Sequence, residues 1–485
     1  MARASTKVTA ATLPTLVLSK EDEAELRQLA RDLEVEVLAS YEEFLYHSSR
    51  RVDTARWKPV RSKDDMHVYR ERREHSSGST SASVLSQSEL ISSSTKSFTK
   101  NISLCSSDSE SGPCSQRSEV ATTFEIGPMN AMAASSNMPV MMVTGTTTGT
   151  VEDALYGLSL TDTPSMRRRS MYQKEKLEDC AVVALMDDAT YEDPFLFRGV
   201  VWFLKDYPVL NAIVRPRDLL QMACIRQTHT SRGERVGVVV YHSIAHRDFP
   251  EFSHASIIRV QNSLSVVFRQ FDEQRIEIYM ANFVDPMGKV PEVFITQDVA
   301  QALLTSADLP NTSLKRKLHW LMRTRQRLRS LSSGNRTTPI IKSSCVSCCK
   351  VLGRAFSGNG AICQLCYKVP RVLQVPRDQK IAVDATATTI CIKSFEFCLG
   401  CIMAARTTPA ATVARCERGL SRCSATSPAR LRSASVHSVG RLMGSTMRRL
   451  DTVTACLHDA LHRNHTRLLL VWAARGSAQP GGVRM

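Results

Sequence analysis

The sequence has few aromatic residues, no long apolar segment and none of the common catalytic signatures. Aromatic residues make up 6% of its 485 residues. The N-terminal end contains no apolar stretch typical of a signal peptide, and the longest late apolar run, residues 468–474, is far too short to span a bilayer. Neither a Gly-x-Ser-x-Gly nor a His-Glu-x-x-His motif occurs. We therefore expect a non-enzymatic, cytoplasmic protein, either free or peripheral on a membrane.

Basic residues are concentrated at the C-terminal end. Of the net charge of +16, residues 403–485 carry +10, with 13 arginines, no lysine and three acidic residues. The rest of the chain carries only +6, which is ordinary for its length and does not indicate binding of nucleic acid. We predict that residues 406–485 form a disordered basic tail that can touch anionic lipid.

Three Cys-x-x-Cys pairs are the most informative feature that is present. In a reducing compartment, thiol pairs at this spacing indicate zinc ligands rather than disulfides. Taken alone, the first two pairs are close to zinc-ribbon spacing and would leave the third pair free. Because no histidine or glutamate of an open site accompanies them, a zinc held here would be structural. The pairs are Cys345/Cys348, Cys363/Cys366 and Cys398/Cys401.

The N-terminal half predicts helix, strands and a long insertion. After an arm, residues 1–18, Ser19 opens a capping-box-like signal, and an apolar repeat then predicts one amphipathic helix of about seven turns. Strand patterns occur near residues 57–60, 67–70 and 139–143, and a helix signal follows at 150–156. Residues 75–137 are so rich in serine and threonine that we predict a disordered insertion.

The next segment predicts an antiparallel sheet and a long helix. Residues 179–285 have mostly strand patterns, and a helical region at 296–328, broken near Pro310, follows them. A curved sheet wrapped on such a helix encloses an apolar space, which is either plain core or a ligand pocket. A register slip of one residue would reverse the inward face. The candidate lining residues are Trp202, Met222, Tyr241, Ile278 and Met280.

Two basic runs accompany these elements. Lys315, Arg316 and Lys317 are predicted to form the basic side of the long helix, away from its leucines. The run Arg167-Arg-Arg-Ser170 fits either a basophilic kinase site on a loop or a solvated basic loop.

Four segments, residues 56–70, 143–157, 276–283 and 392–402, carry a family resemblance. The chain resembles a START-like, helix-grip lipid-binding domain followed by a FYVE-type zinc finger, over about residues 20–402. The resemblance implies an α+β fold, with a START-like domain at 19–330 and a degenerate finger at 340–405. It also implies a cavity that holds a lipid or sterol without covalent chemistry.

The resemblance further implies which cysteines share a zinc. A FYVE finger binds one zinc with its first and third pairs and another with its second and fourth. Where the third pair is expected, residues 367–375 contain no cysteine, histidine or acidic residue. We therefore expect one zinc, or two if Cys349 and Cys391 replace the missing ligands. The complete site would be Cys363, Cys366, Cys398 and Cys401, with Cys345 and Cys348 lacking two partners.

A FYVE-type finger also implies docking on endosomal membranes that carry phosphatidylinositol 3-phosphate. Residues 356–362, where the family has a basic run with histidine, contain no arginine, lysine or histidine. Charge-assisted contacts supply most of the affinity for a phosphate. We therefore predict that this finger does not bind the lipid specifically, and flotation only with vesicles that carry this lipid would contradict that prediction.

Together these features predict a lipid-binding or lipid-transfer protein with a zinc module for membrane or partner docking. The alternatives are a RING-like or adaptor module built on the cysteines, a helix-grip enzyme of the cyclase type, and a ligand-free scaffold. The absence of a ligand histidine argues against the RING-like module, and the strands offer no recognisable catalytic group for the cyclase type.

Overall fold

A computed structural model describes residues 8–72, 127–173, 175, 177–205, 215–332, 377–384, 390–397 and 399–420. In these ranges, no helix combines the length and the apolar character that crossing a membrane requires. A π-helical turn, Glu43–His47, continues the first helix, and a 3-10 turn, Leu304–Asp308, joins the fifth helix to the sixth. The described helices are α1 (Lys20–Glu42), α2 (Pro128–Ala134), α3 (Val151–Leu158), α4 (Thr163–Gln173), α5 (Glu292–Leu303), α6 (Leu309–Ser332), α7 (Leu399–Thr407) and α8 (Ala410–Arg418).

The strands form one large sheet and one hairpin. The large sheet has the order β1-β2-β3-β10-β9-β7-β6-β5-β4, with all neighbours antiparallel, while the short β8 joins β6 in parallel and β11 pairs only with β12. The strands are β1 (Trp57–Lys63), β2 (Met66–Glu71), β3 (Met141–Thr148), β4 (Asp179–Asp187), β5 (Phe197–Lys205), β6 (Arg217–His229), β7 (Arg235–Ser243), β8 (Ile258–Arg259), β9 (Gln261–Gln270), β10 (Arg275–Asp285), β11 (Arg377–Asp384) and β12 (Ile390–Phe397).

The fold class predicted from the sequence is confirmed. The protein is α+β, with a curved antiparallel sheet, an N-terminal helix and a long helix after the last strand of that sheet. The capping box at the start of α1 is also present, because the Ser19 side chain accepts from the Asp22 amide while Asp22 accepts from the Ser19 amide.

The central strands of the large sheet are buried on both faces. One face, here called the α1 face, packs against α1 and α2 and contains Val200, Val267 and Phe283. The other, here called the α3 face, packs against α3, α4, α5 and α8 and contains Val201, Val266 and Phe268. Strand alternation sends neighbouring residues to opposite faces, so each strand supplies both cores.

Helix α3 lies very close to both the sheet and α6. A Cβ atom at Gly237 in β7 would stand 2.9 Å from the Leu155 side chain, and one at Gly157 would stand 2.6 Å from the Leu309 carbonyl oxygen. Only glycine fits such approaches without a shift of the neighbouring atoms. The α3 helix is therefore the layer between the sheet and the long α6 helix.

Two residues of the predicted basic side of α6 are packed against α3. Lys317 is 1% exposed and places Nζ 2.6 Å from Oδ1 of Asp153 in α3. Arg316 donates to the carbonyl oxygens of Tyr156 and Ser159, which end α3, the latter at 2.9 Å. A buried cation needs such partners, so this run fixes α6 on α3.

Two domain boundaries differ from the sequence prediction. Residues 128–134, assigned to the disordered insertion, form α2, and the Glu36 side chain accepts from the Met129 and Asn130 amides at its start (2.9 and 3.0 Å). Residues 410–418, assigned to the disordered tail, form α8. Both helices are short, so their apolar contacts with the body stabilise them more than local propensity does. Residues 73–126 and 421–485 lie outside the described residues.

Stability is expected to fall in acid because of one buried imidazole. His242 in β7 is 7% exposed and lies 2.9 Å from the Ser263 hydroxyl, and burial lowers its pKa from 6.5 to about 4. As the pH falls, the imidazole therefore binds a proton in the unfolded chain before it does so in the folded chain. Up to about 3 kcal/mol of the free energy of unfolding is lost as the pH falls from about 6.5 to about 4.

Urea unfolding between pH 7 and pH 4 measures this effect. In His242→Gln, the free energy of unfolding is expected to fall less between pH 7 and pH 4 than in the native chain. His67→Gln is the matched control, since His67 makes the same 2.9 Å contact to a serine hydroxyl, that of Ser62, on the surface. Parallel curves for the native chain and His242→Gln would refute the assignment.

Candidate functional site

The structure divides the five candidate lining residues between the two faces of the sheet. Tyr241, Ile278 and Met280 lie on the α3 face, whereas Trp202 and Met222 lie on the α1 face. All five are buried, with exposed fractions between 0% and 6%. They therefore do not line one common space, and only the first three share a face with the helices that follow β3.

Trp202 has a structural position on the α1 face. Its indole Nε1 donates to Oδ2 of Asp218 at 3.0 Å. Asp218 is fully buried and also accepts two bonds from the Arg259 guanidinium, at 2.9 and 2.8 Å. Such a forked pair is a strong charge-assisted contact, so Trp202 belongs to a closed polar network rather than to a ligand wall.

A buried arginine interrupts the otherwise apolar α3 face. Arg169 in α4 has a side chain only 4% exposed, donates from Nη1 to the Tyr241 hydroxyl at 2.9 Å and lies 3.5 Å from the Glu175 carboxylate. Its Nε is buried and has no hydrogen-bond partner among the described residues. Burial opposes the charge, but Glu175 and Tyr241 outweigh it and hold the pKa of Arg169 above its ordinary value.

A second polar group lies in the same transverse row as Tyr241. Tyr241 in β7 pairs with Leu264 in β9, and Leu264 pairs with Asn282 in β10, so two strand spacings, about 10 Å, separate the two polar side chains. Asn282 donates to Oδ1 of Asn262 at 3.0 Å, while its own Oδ1 is buried and unpartnered among the described residues. Leu264 between them is half-buried.

This row can recognise an apolar molecule that carries oxygen or amide groups. Arg169 Nε offers a donor, and Asn282 Oδ1 offers an acceptor. Leaving such groups unpaired in an apolar setting costs about 1–3 kcal/mol each, so a ligand that satisfies them gains that amount. We define the polar row as Arg169, Tyr241 and Asn282.

The polar row contains no activated nucleophile. The nearest thiol, Cys180, is 2% exposed, and burial raises its pKa to about 12, so it stays protonated.

A separate cleft opens where β7 connects to β8. Its volume is about 250 Å³, and Met132, Phe249 and Val260 are among its lining residues. Ligand pockets for drug-sized molecules usually measure about 300–1,000 Å³. The cleft contains none of the five candidate lining residues.

Most of the candidate zinc ligands lie outside the described residues. Of the six cysteines, the structure describes Cys401, which lies in the first turn of α7 and is 4% exposed against Leu318 and Phe397. Among the described residues, no group of three potential metal ligands occurs.

Arg169 and Asn282 are absent from the site residues predicted from the sequence. Arg169 lies in the basic run assigned to a loop, but α4 is a helix and turns Arg169 inward, so neither loop interpretation holds. Asn282 follows Ile276, Ile278 and Met280 at the same spacing. A polar residue at the next inward position of an apolar alternation is the signal that could have identified it.

Comparison with known proteins gives structural neighbours only. No protein-family model and no curated protein matches the sequence. The fold is similar to those of START-related proteins. Human StAR-related lipid transfer protein 5 is 12% identical, with 60% of this chain and 97% of that chain covered and a TM-score of 0.36. Human STARD10 is 10% identical, with 66% and 91% covered and a TM-score of 0.31.

A third structural neighbour is similar to this chain at the same level. The human StarD13 lipid transfer and protein localization domain is 10% identical, with 61% of this chain and 98% of that chain covered and a TM-score of 0.30. At this level of identity the likeness concerns the fold, which the strand order above already establishes.

Proposed function

We propose that this protein binds one lipid or sterol-like molecule on the α3 face and has no enzymatic activity. The main support for this proposal is that Arg169 is a buried cation with an unused Nε donor on an apolar surface. Burial of apolar ligand surface at about 25 cal/mol per Å² would supply the affinity. The polar row would orient the ligand by its oxygen or amide group.

Native mass spectrometry of the purified full chain tests this proposal. The expected result is one copurified or vesicle-delivered lipid per chain. If no lipid or sterol binds after incubation with vesicles of a total lipid extract, the proposal is overturned and the ligand-free scaffold is favoured. A covalently changed lipid would instead favour the enzyme alternative.

We also propose one structural zinc, held by Cys363, Cys366, Cys398 and Cys401. Zinc in such a site supplies folding free energy rather than chemistry. The position of Cys401 against α6 supports a finger that is fixed to the START-like domain. The same mass spectrum counts the metal, and two bound zinc ions would contradict the single site.

Lipid exchange needs contact with a membrane, and we place that contact at the start of α5. Met287 and Val293 are 39% and 75% exposed there. Lys58 in β1 and Lys289 in the loop before α5 are exposed basic residues at the same end of the sheet. Apolar side chains that enter the interface, with nearby basic residues, favour anionic membranes.

Val293→Asp is expected to lower cosedimentation with vesicles that contain phosphatidylserine by about threefold or more, since a charge replaces an inserted side chain. Phe271→Asp is the matched control, because Phe271 is 40% exposed on the β9–β10 turn at the opposite end of the sheet. Equal losses for both variants would contradict this placement.

A further inference from the structure

Helix α8 contacts α3 at both of its ends. Near the start of α3, the Glu152 carboxylate accepts from the Ala411 amide at 3.4 Å. Beyond the end of α3, the Leu160 carbonyl oxygen accepts from Arg418 at 2.7 Å. Between these contacts, Val413 is fully buried in the α3-face core.

The rim of this contact is charged. Arg418, whose side chain is 8% exposed, pairs with Asp188, and Glu417 lies 3.9 Å from Arg316, the residue that binds the last carbonyl oxygens of α3. Arg415 donates to the Tyr191 carbonyl oxygen at 2.8 Å. The carboxylates of these pairs are the exposed members, with Asp188 54% and Glu417 34% exposed, so salt weakens this part of the contact.

The apolar part of the contact is small. The buried residues of α8 are three alanines and one valine, and the helix has only nine residues. A nine-residue helix is unstable alone in water, so α8 is helical because it is docked. A segment of this kind can detach at moderate cost, whereas the strands of the sheet cannot.

With α3 docked, the sheet has no room for a ligand beneath that helix. Leu155 fills the space over Gly237, and Leu309 approaches Gly157. A molecule that enters between α3 and the sheet therefore requires α3 to move away from the sheet. Helix α8 holds both ends of α3 in place.

We propose that α8 is an intramolecular clamp that holds α3 on the sheet and so slows lipid exchange. This inference rests on the proposed lipid binding, and it assigns the regulation of that site to the chain's own C-terminal segment. Helix α8 follows α7 after only Thr408 and Pro409, so a partner bound to the cysteine-bearing segment can bias the clamp.

Val413→Asp in the full chain tests the clamp, because it places a charge in the buried contact. Amide hydrogen exchange of residues 151–158 is expected to become about tenfold faster. Transfer of dehydroergosterol and of fluorescent phosphatidylcholine from vesicles is expected to become at least about threefold faster, with equilibrium occupancy little changed. Thr412→Asp, the half-buried neighbour in the same helix, is the matched control and is expected to behave like the native chain.

A charge reversal separates clamp release from misfolding. Arg418→Glu is expected to accelerate both amide hydrogen exchange at residues 151–158 and lipid transfer. Adding Asp188→Arg to this variant is expected to slow both again, and a misfolded chain would not show this recovery. Unchanged exchange at 151–158 in Val413→Asp, or no recovery in the double variant, overturns the clamp. If neither probe binds the native chain, lipid binding fails, and amide exchange alone decides the clamp.

Discussion

Asp218→Ala is expected to lower the free energy of unfolding by about 3–5 kcal/mol. Asp218 is fully buried, accepts two bonds from Arg259 and one from the Trp202 indole. Without the carboxylate, a guanidinium only 10% exposed and a buried N–H would lack their acceptor.

Thermal unfolding followed by circular dichroism measures the loss, and the midpoint is expected to fall by about 10 °C. Asp248→Ala is the control, because Asp248 is 44% exposed and its contacts to His246 and Arg247 are 3.9 Å long. A midpoint within 2–3 °C of the native value, about 1 kcal/mol, would contradict the role of Asp218.

A double variant separates the lost pair from the unpaired charge. Asp218→Leu with Arg259→Met is expected to be more stable than Asp218→Leu alone, because a buried ion pair can be replaced by apolar groups at little cost, whereas one isolated charge cannot. A double variant that is less stable than the single variant would show that Arg259 contributes mainly by packing on Phe249 and Phe252.

Arg169→Met is expected to weaken lipid binding by about tenfold or more while changing stability little. The affinity falls because a hydrogen bond to a charged donor contributes about 1.5–3 kcal/mol, and tenfold corresponds to about 1.4 kcal/mol. Stability changes little because methionine keeps the apolar contact with Phe203, and Glu175 is exposed enough to be hydrated.

Equilibrium titration with fluorescent sterol and phospholipid analogues checks the affinity. Arg167→Met is the matched control, since Arg167 lies two residues away in α4 and binds Asp179 at 2.8 Å rather than Tyr241. Equal affinities for the native chain and Arg169→Met would place the ligand away from the polar row. Equal losses in both variants would indicate a general effect of α4.

The sequence predicted the elements because they depend on local periodicity. The repeat from Leu26 to Tyr41 predicts α1, and its capping box is present in the structure. The alternation of Ile276, Ile278 and Met280 likewise predicts a strand with one inward set of residues, and all three are buried together. Such patterns depend on which residues are three, four or two positions apart.

The sequence could not assign faces across strands. Trp202 and Tyr241 both occupy buried strand positions, but the register between β5, β6 and β7 sends them to opposite sides of the sheet. A sheet with two buried faces has strands that are apolar on both sides, so composition does not distinguish the faces.

The amino-acid sequence by itself determined the α+β class, the first helix, the strands of the large sheet and the clustering of cysteines, because these depend on short residue spacings, whereas α2, α4 and α8 were not predicted. Only the tertiary structure decided that Arg169 is buried, that Lys317 anchors α6 to Asp153, and that α8 joins the core on the α3 face of the sheet. Basic residues look alike in sequence, and whether a charge is solvated or paired depends on groups brought from distant parts of the chain.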